Sequence, residues 1–75
     1  MYRKKIKKIF LKIFKIHENK FNLNLNNKNI KSWDSINHLK LMIALEEEFN
    51  VQIPSHQQHM LLSVKMILNF LKKTS

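Results

Sequence analysis

The chain has no cysteine, no glycine and a single proline among its 75 residues. Without cysteine there is no disulfide framework, no thiolate zinc site and no redox centre. The expected setting is a reducing cytoplasm. Without glycine there is no Walker phosphate loop, no dinucleotide fingerprint and no glycine-flanked nucleophile elbow, because each needs glycine's backbone freedom. Acidic residues are also scarce, five against fourteen Lys and Arg. No apolar run is long enough to span a membrane. The opening "MYRKKIKKIFLKIFKI" is basic and then apolar, like a secretion signal. Lys12 and Lys15 interrupt its apolar part and no small-residue cleavage site follows, so secretion is not expected.

The length allows one small domain over residues 1–75. A chain of this size buries only about 60% of its unfolded surface, which leaves no room for a deep pocket with a supporting layer around it. That argues against an autonomous enzyme, and no catalytic group is assigned. His56 and His59 stand i, i+3 and share a helix face, but His17 and His38 lie far away in sequence. Two ligands do not close a metal site, so none is assigned either.

The net charge of +9 is unevenly spread. Residues 1–31 hold ten Lys or Arg against Glu18, for +9. Residues 32–64 hold Lys40 against Asp34, Glu46, Glu47 and Glu48, for −3, and the last eleven residues return +3. Long-range attraction to nucleic acid or anionic lipid would come from the two ends.

Ile6, Ile9, Phe10 and Ile13 follow the i, i+3, i+4, i+7 spacing of one helical face, with lysines on most of the rest. "HENKFNLNLNNKNIKSW" then loses helical periodicity. Its asparagines favour turns, since their side chains compete for nearby backbone groups. A long ordered loop is expected, with Phe21, Leu23, Leu25, Ile30 and Trp33 as anchors into a core. The alternation at Phe21, Leu23 and Leu25 also fits a strand, although one unpaired strand would not persist. A second helix should start at Asp34 or Ser35, both good N-caps, and end near Asn50, before Pro54. "SHQQHML" suggests a short helical turn. Ser63 should cap a last helix with Val64, Ile67, Leu68 and Leu71 on one face.

On a wheel of the second helix, Leu39, Met42, Leu45 and Phe49 fall together and are expected to pack on the first and last helices. Ile36, Lys40, Ile43, Ala44 and Glu47 fall on roughly the opposite side. Single exposed apolar residues are ordinary, but two on one stripe beside charges fit a partner-binding face. Ser35 reads as a helix cap on composition alone. A helix N-terminus also favours an anion, so a phosphate ester on Ser35 would be comfortable there. A triad of Ser35, His38 and Asp34 is not expected, because adjacent Asp and Ser cannot line up on either side of one imidazole.

"DSINHLKLMIALEEEFNVQIP" resembles the acyl carrier protein signature: Asp34-Ser35 opening a helix, an ALEEEF segment closing it, then Ile53-Pro54 and Ser63-Val64 at similar spacing. The likeness is strongest over Trp33 to Leu71. It implies an all-α, small four-helix bundle with three main helices, a short third helix and a long first loop. It implies 4′-phosphopantetheine on Ser35, attached by a separate phosphopantetheinyl transferase for which Asp34 is a recognition residue. The cofactor's thiol would then carry acyl groups as thioesters. Ile36, Asn37, Lys40, Ile43, Ala44 and Glu47 would form the partner-reading face. Leu39, Met42, Leu45 and Phe49 would line an acyl-chain pocket. The implied partners are acyl-transferring or acyl-activating enzymes (a ketosynthase, acyltransferase or ligase), met by a monomeric carrier in fatty-acid, lipid or specialised biosynthesis. Three residues depart from the pattern of familiar fatty-acid carriers: Ile36 replaces the usual Leu, and Asn37 and Lys40 replace acidic residues. The basic first helix is a further departure.

The runner-up is a small basic helical module that binds nucleic acid or anionic membrane through residues 2–16. Phe10 and Phe14 lie with the aliphatic residues, a poor arrangement for stacking on bases, and are expected in the core. No nucleic-acid partner is therefore expected. A peripheral membrane contact through the basic first helix stays compatible with a carrier.

Overall fold

The computed structural model describes residues 2–74. It contains helices α1 (Tyr2–Phe14), α2 (Ser35–Phe49), α3 (Ser55–Gln58) and α4 (Val64–Thr74), with one 3-10 turn at Glu18–Lys20. The architecture is the all-helical one expected from the sequence, and there is no strand among the described residues. The stretch with strand-like alternation forms a single antiparallel bridge, Asn26 with Ser63. Two backbone bonds flank it, Asn27 N–H to Leu62 O at 3.0 Å and Val64 N–H to Leu25 O at 2.9 Å. They fasten the long loop to the start of α4.

Each helix end has an identifiable cause. The Asp34 carboxylate accepts the Asn37 amide at 2.9 Å, and Asp34 itself is extended, as an N-cap must be. The Ser63 hydroxyl accepts the Met66 amide at 3.1 Å and caps α4. Because the chain has no glycine, ordinary residues take the left-handed positions that end helices. Asn50 does so after α2 (φ 53°) and Lys15 after α1 (φ 55°). The carbonyl of Phe14, left without a helical donor, accepts from the Ser32 hydroxyl at 3.1 Å.

The core is built around α1, which packs against both α2 and α4. Ile6, Phe10 and Phe14, spaced four apart, are its buried residues. They meet Leu41, Met42 and Leu45 of α2, Val64, Ile67 and Leu71 of α4, and Ile30, Trp33, Ile53 and Leu61 from the connections. Phe10 is the aromatic centre, with ring centroids 5.1 Å from Phe14, 5.7 Å from Phe21 and 5.4 Å from Trp33. The loop anchors behave as expected: Ile30 and Trp33 are buried, and Phe21, Leu23 and Leu25 pack half-buried on the same core. Tyr2 meets Phe49 at 5.5 Å and Lys5 meets Glu48 at 3.6 Å, so α1 and α2 run antiparallel.

One residue of α2 departs from expectation. Leu39 does not pack on α1 and α4; it is 56% exposed, and Leu41, fully buried, takes the inward position. From Leu39 to Leu45 the helix is apolar on nearly every side apart from Lys40, so its own periodicity cannot select the inner face. The packing partner selects it: Leu41, Met42 and Leu45 share one buried cluster with Ile6, Phe10 and Phe14 of α1. Met42 is buried as expected, and Phe49 is half-buried against Tyr2.

Candidate functional site

Ser35 is the first residue of α2 and is exposed. It is not the cap, because Asp34 takes that role. Its hydroxyl makes no hydrogen bond among the described residues. The first helical bond is His38 N–H to the Asp34 carbonyl at 2.8 Å, so the amides of Ser35, Ile36 and Asn37 precede it. Asp34 satisfies the amide of Asn37. The other two stand at the positive end of the helix dipole, beside the hydroxyl.

The ground on which Ser35 stands is tightly pinned. The Asn37 side-chain amide donates to the Ser32 carbonyl at 2.8 Å, closing the turn before the helix. Trp33 Nε1 donates to His38 Nδ1 at 2.9 Å, and the two rings stack. An indole N–H only donates, so Nδ1 accepts and the imidazole proton sits on Nε2. That nitrogen donates to the Gln58 carbonyl, 2.7 Å away. His38 thus links the loop, α2 and the end of α3. Its partners are Trp33 and Gln58, and it has no hydrogen bond to Ser35 among the described residues. Beyond α3, Gln58 Nε2 donates to the Ile53 carbonyl and Glu46 accepts the Ile53 amide, both at 2.8 Å.

A cleft of about 450 Å³ opens at Ser35, walled by Trp33, Asp34, His38, Leu39, Gln58, His59 and Leu62 among others. Leu39 therefore stands on a cleft wall beside Ser35. Met42 and Leu45 lie inside the closed core, and Phe49 sits at the far end of α2. The structure thus brings one of the four expected pocket residues to the serine.

The expected outer face is exposed. Ile36 is 68% and Ile43 48% exposed, with Lys40 and Glu47 also in solvent and Ala44 half-buried. With Leu39 they form an i, i+3, i+7 apolar stripe that starts next to Ser35. Asn37 belongs to this set in sequence but its side chain is engaged with Ser32. The wheel missed Leu39 as a member of the outer stripe, although its spacing from Ile36 and Ile43 carried that signal.

A second concavity, a groove of about 680 Å³, runs between α1 and α2. Ile9, Ile13, Ile43 and Ala44 line it together with Lys5, Lys8 and Lys12 of α1 and Lys40, Glu47 and Glu48 of α2. Ile6, Phe10 and Phe14 of α1 are taken up by the core, Ile9 and Ile13 stay half-buried on the groove, and lysines cover most of the rest of the helix.

An acyl carrier protein from Campylobacter concisus (strain 13826) is 38% identical to this chain over 40 residues. The matched stretch covers 53% of this chain and 52%, about half, of that relative's length. No family model matches the chain.

Proposed function

We propose that this chain is an acyl carrier whose attachment point is Ser35. The observation that carries this reading is an exposed serine hydroxyl without a partner among the described residues, set at a braced helix start, with an apolar stripe leading away from it. The 40-residue similarity to an acyl carrier protein supports the same role.

The surroundings fit 4′-phosphopantetheine. Its phosphodiester on Ser35 would lie at the helix N-terminus, where the amides of Ser35 and Ile36 have no helical acceptor and the dipole favours an anion. The cleft walled by Trp33, Leu39 and Leu62 offers apolar shelter next to the attachment point. When bound, the cofactor supplies the thiol that a chain without cysteine lacks, and acyl groups ride on that thiol. The protein's own part is to present the hydroxyl to a phosphopantetheinyl transferase and to hold α2 rigid while partners read it. Asp34 does two jobs in this scheme: it caps α2 and offers a carboxylate beside the serine for the transferase. Ile36, Leu39, Ile43 and Glu47 form the surface against which acyl-transferring or acyl-activating enzymes dock. No step in this scheme makes the chain an enzyme.

The test is direct. The chain is coexpressed with phosphopantetheinyl transferases of different specificity and weighed intact. One phosphopantetheine adduct, absent from Ser35→Ala, is the expected result. No adduct with any of them would remove the carrier reading.

A further inference from the structure

The groove between α1 and α2 carries a charge pattern that the carrier reading does not use. Its apolar floor is Ile9 and Ile13 from α1 with Ile43 and Ala44 from α2. Lys8 and Lys12 stand over it from one helix and Lys40 from the other. Lys5 is paired with Glu48 and Lys7 with Glu18. Lys8, Lys12 and Lys40 are three exposed cations, unpaired among the described residues and gathered around one apolar trough. The antiparallel packing puts Glu47 and Glu48 at the opposite end, beside Lys5.

We infer that this groove docks an acidic amphipathic helix of a partner protein. Its apolar side chains enter between Ile9, Ile13 and Ile43, and its carboxylates meet Lys8, Lys12 and Lys40. Two observations choose a helix over an anionic bilayer. The floor lies between two helices, where the ridge of a third helix fits and a flat surface does not reach. Glu47 and Glu48 border the same trough and would face an anionic membrane with like charge, whereas a helix can set a basic residue against them. The inference goes beyond the carrier reading: it rests on α1 and α2 alone and is independent of any group on Ser35. Combined with that reading, it identifies partners with acidic docking helices.

The test uses the full chain, ¹⁵N-labelled, titrated with a synthetic helical peptide whose leucine stripe is flanked by glutamates. Two controls are its lysine-flanked counterpart and vesicles of phosphatidylglycerol with phosphatidylcholine. The glutamate peptide should bind saturably and more weakly as salt rises, with amide shifts centred on Ile9, Ile13, Ile43 and Ala44. Lys8→Glu/Lys40→Glu should weaken it by at least about tenfold. Lys8→Gln/Lys40→Gln should weaken it less, with circular dichroism reporting that both variants stay folded. Ser35→Ala should bind like the parent, which separates failure of this proposal from failure of the carrier reading. Equal binding of both peptides, shifts elsewhere, undiminished binding by the Glu variant, or attachment to vesicles without attachment to the peptide would each overturn it.

Discussion

At the scale of single residues, the most constrained side chain near the serine is His38. Both ring nitrogens are engaged, one by Trp33 and one by the Gln58 carbonyl, in a part-buried position. Truncating it leaves an indole N–H and a backbone carbonyl unpaired, and each such loss costs about 1–3 kcal/mol. His38→Ala should therefore lower stability in urea by at least about 2 kcal/mol, with a change in Trp33 fluorescence in the folded state. An unchanged midpoint and spectrum would mean that the imidazole does not brace the cleft. Asp34 separates two roles in a different way. Removing the cap in Asp34→Ala should cost about 1 kcal/mol, while Asp34→Asn keeps a capping oxygen and should cost far less. If the transferase reads the carboxylate's charge, Asp34→Asn will load Ser35 more slowly at near-parental stability. Equal loading rates for parent and Asn variant would reduce Asp34 to a cap alone.

At the scale of helices, the face of α2 is the informative case. Leu41→Ala opens a cavity in a closed core and should cost about 2–5 kcal/mol. Leu39→Ala, on the exposed stripe, should stay within about 0.5 kcal/mol. Thermal melts of the two variants distinguish the inward face directly, and a larger loss for Leu39 would restore the face that the wheel favoured. The contrast shows what sequence could and could not supply. The four helices, the Asn50 terminus, the Ser63 cap and the loop anchors were readable because each rests on a local rule of spacing or capping. The inward face of α2 was not, because Leu39, Leu41, Met42, Ile43 and Leu45 surround the helix and only the aromatic layer of α1 breaks the tie. Ser35, the proposed attachment point, and the exposed Ile36–Ile43 stripe could be found from sequence. The cleft could not, because it depends on the His38–Gln58 link, which joins residues 20 apart in the chain. The end of α1 offers a second check at this scale. Lys15 holds a left-handed conformation that disfavours a residue with a Cβ by about 1 kcal/mol. Lys15→Gly should therefore raise stability by roughly that amount relative to Lys15→Gln, which removes the same charge. Indistinguishable denaturation midpoints would show that nothing is stored there.

At the scale of the molecule, the question is why a small bundle keeps so much positive charge on one helix. Lys8 faces Lys4 and Lys12 at i±4 and Lys5 at i−3, and like pairs at these spacings each destabilise a helix by about 0.2–0.5 kcal/mol. The first turn of α1 holds no acid and several cations, which also oppose the helix dipole. The helix is held by Ile6, Phe10 and Phe14 in the core, against its own electrostatics. Salt should then stabilise the protein: between about 0.01 and 1 M the screening length falls from about 30 Å to about 3 Å. Lys8→Glu turns three repulsive neighbours into attractive ones, a gain of at least about 1 kcal/mol. For a domain of this size that raises the melting temperature at low salt by roughly 4–8 °C, and flattens its salt dependence. The same substitution removes one of the three cations over the α1–α2 groove and should weaken the glutamate peptide. A variant that is both more stable and less able to bind would explain the lysine as retained for a partner at the expense of stability. If Lys8→Glu melts no higher than the parent at low salt, the lysines are not in significant conflict, and their number on α1 gives no support to the groove as a docking site.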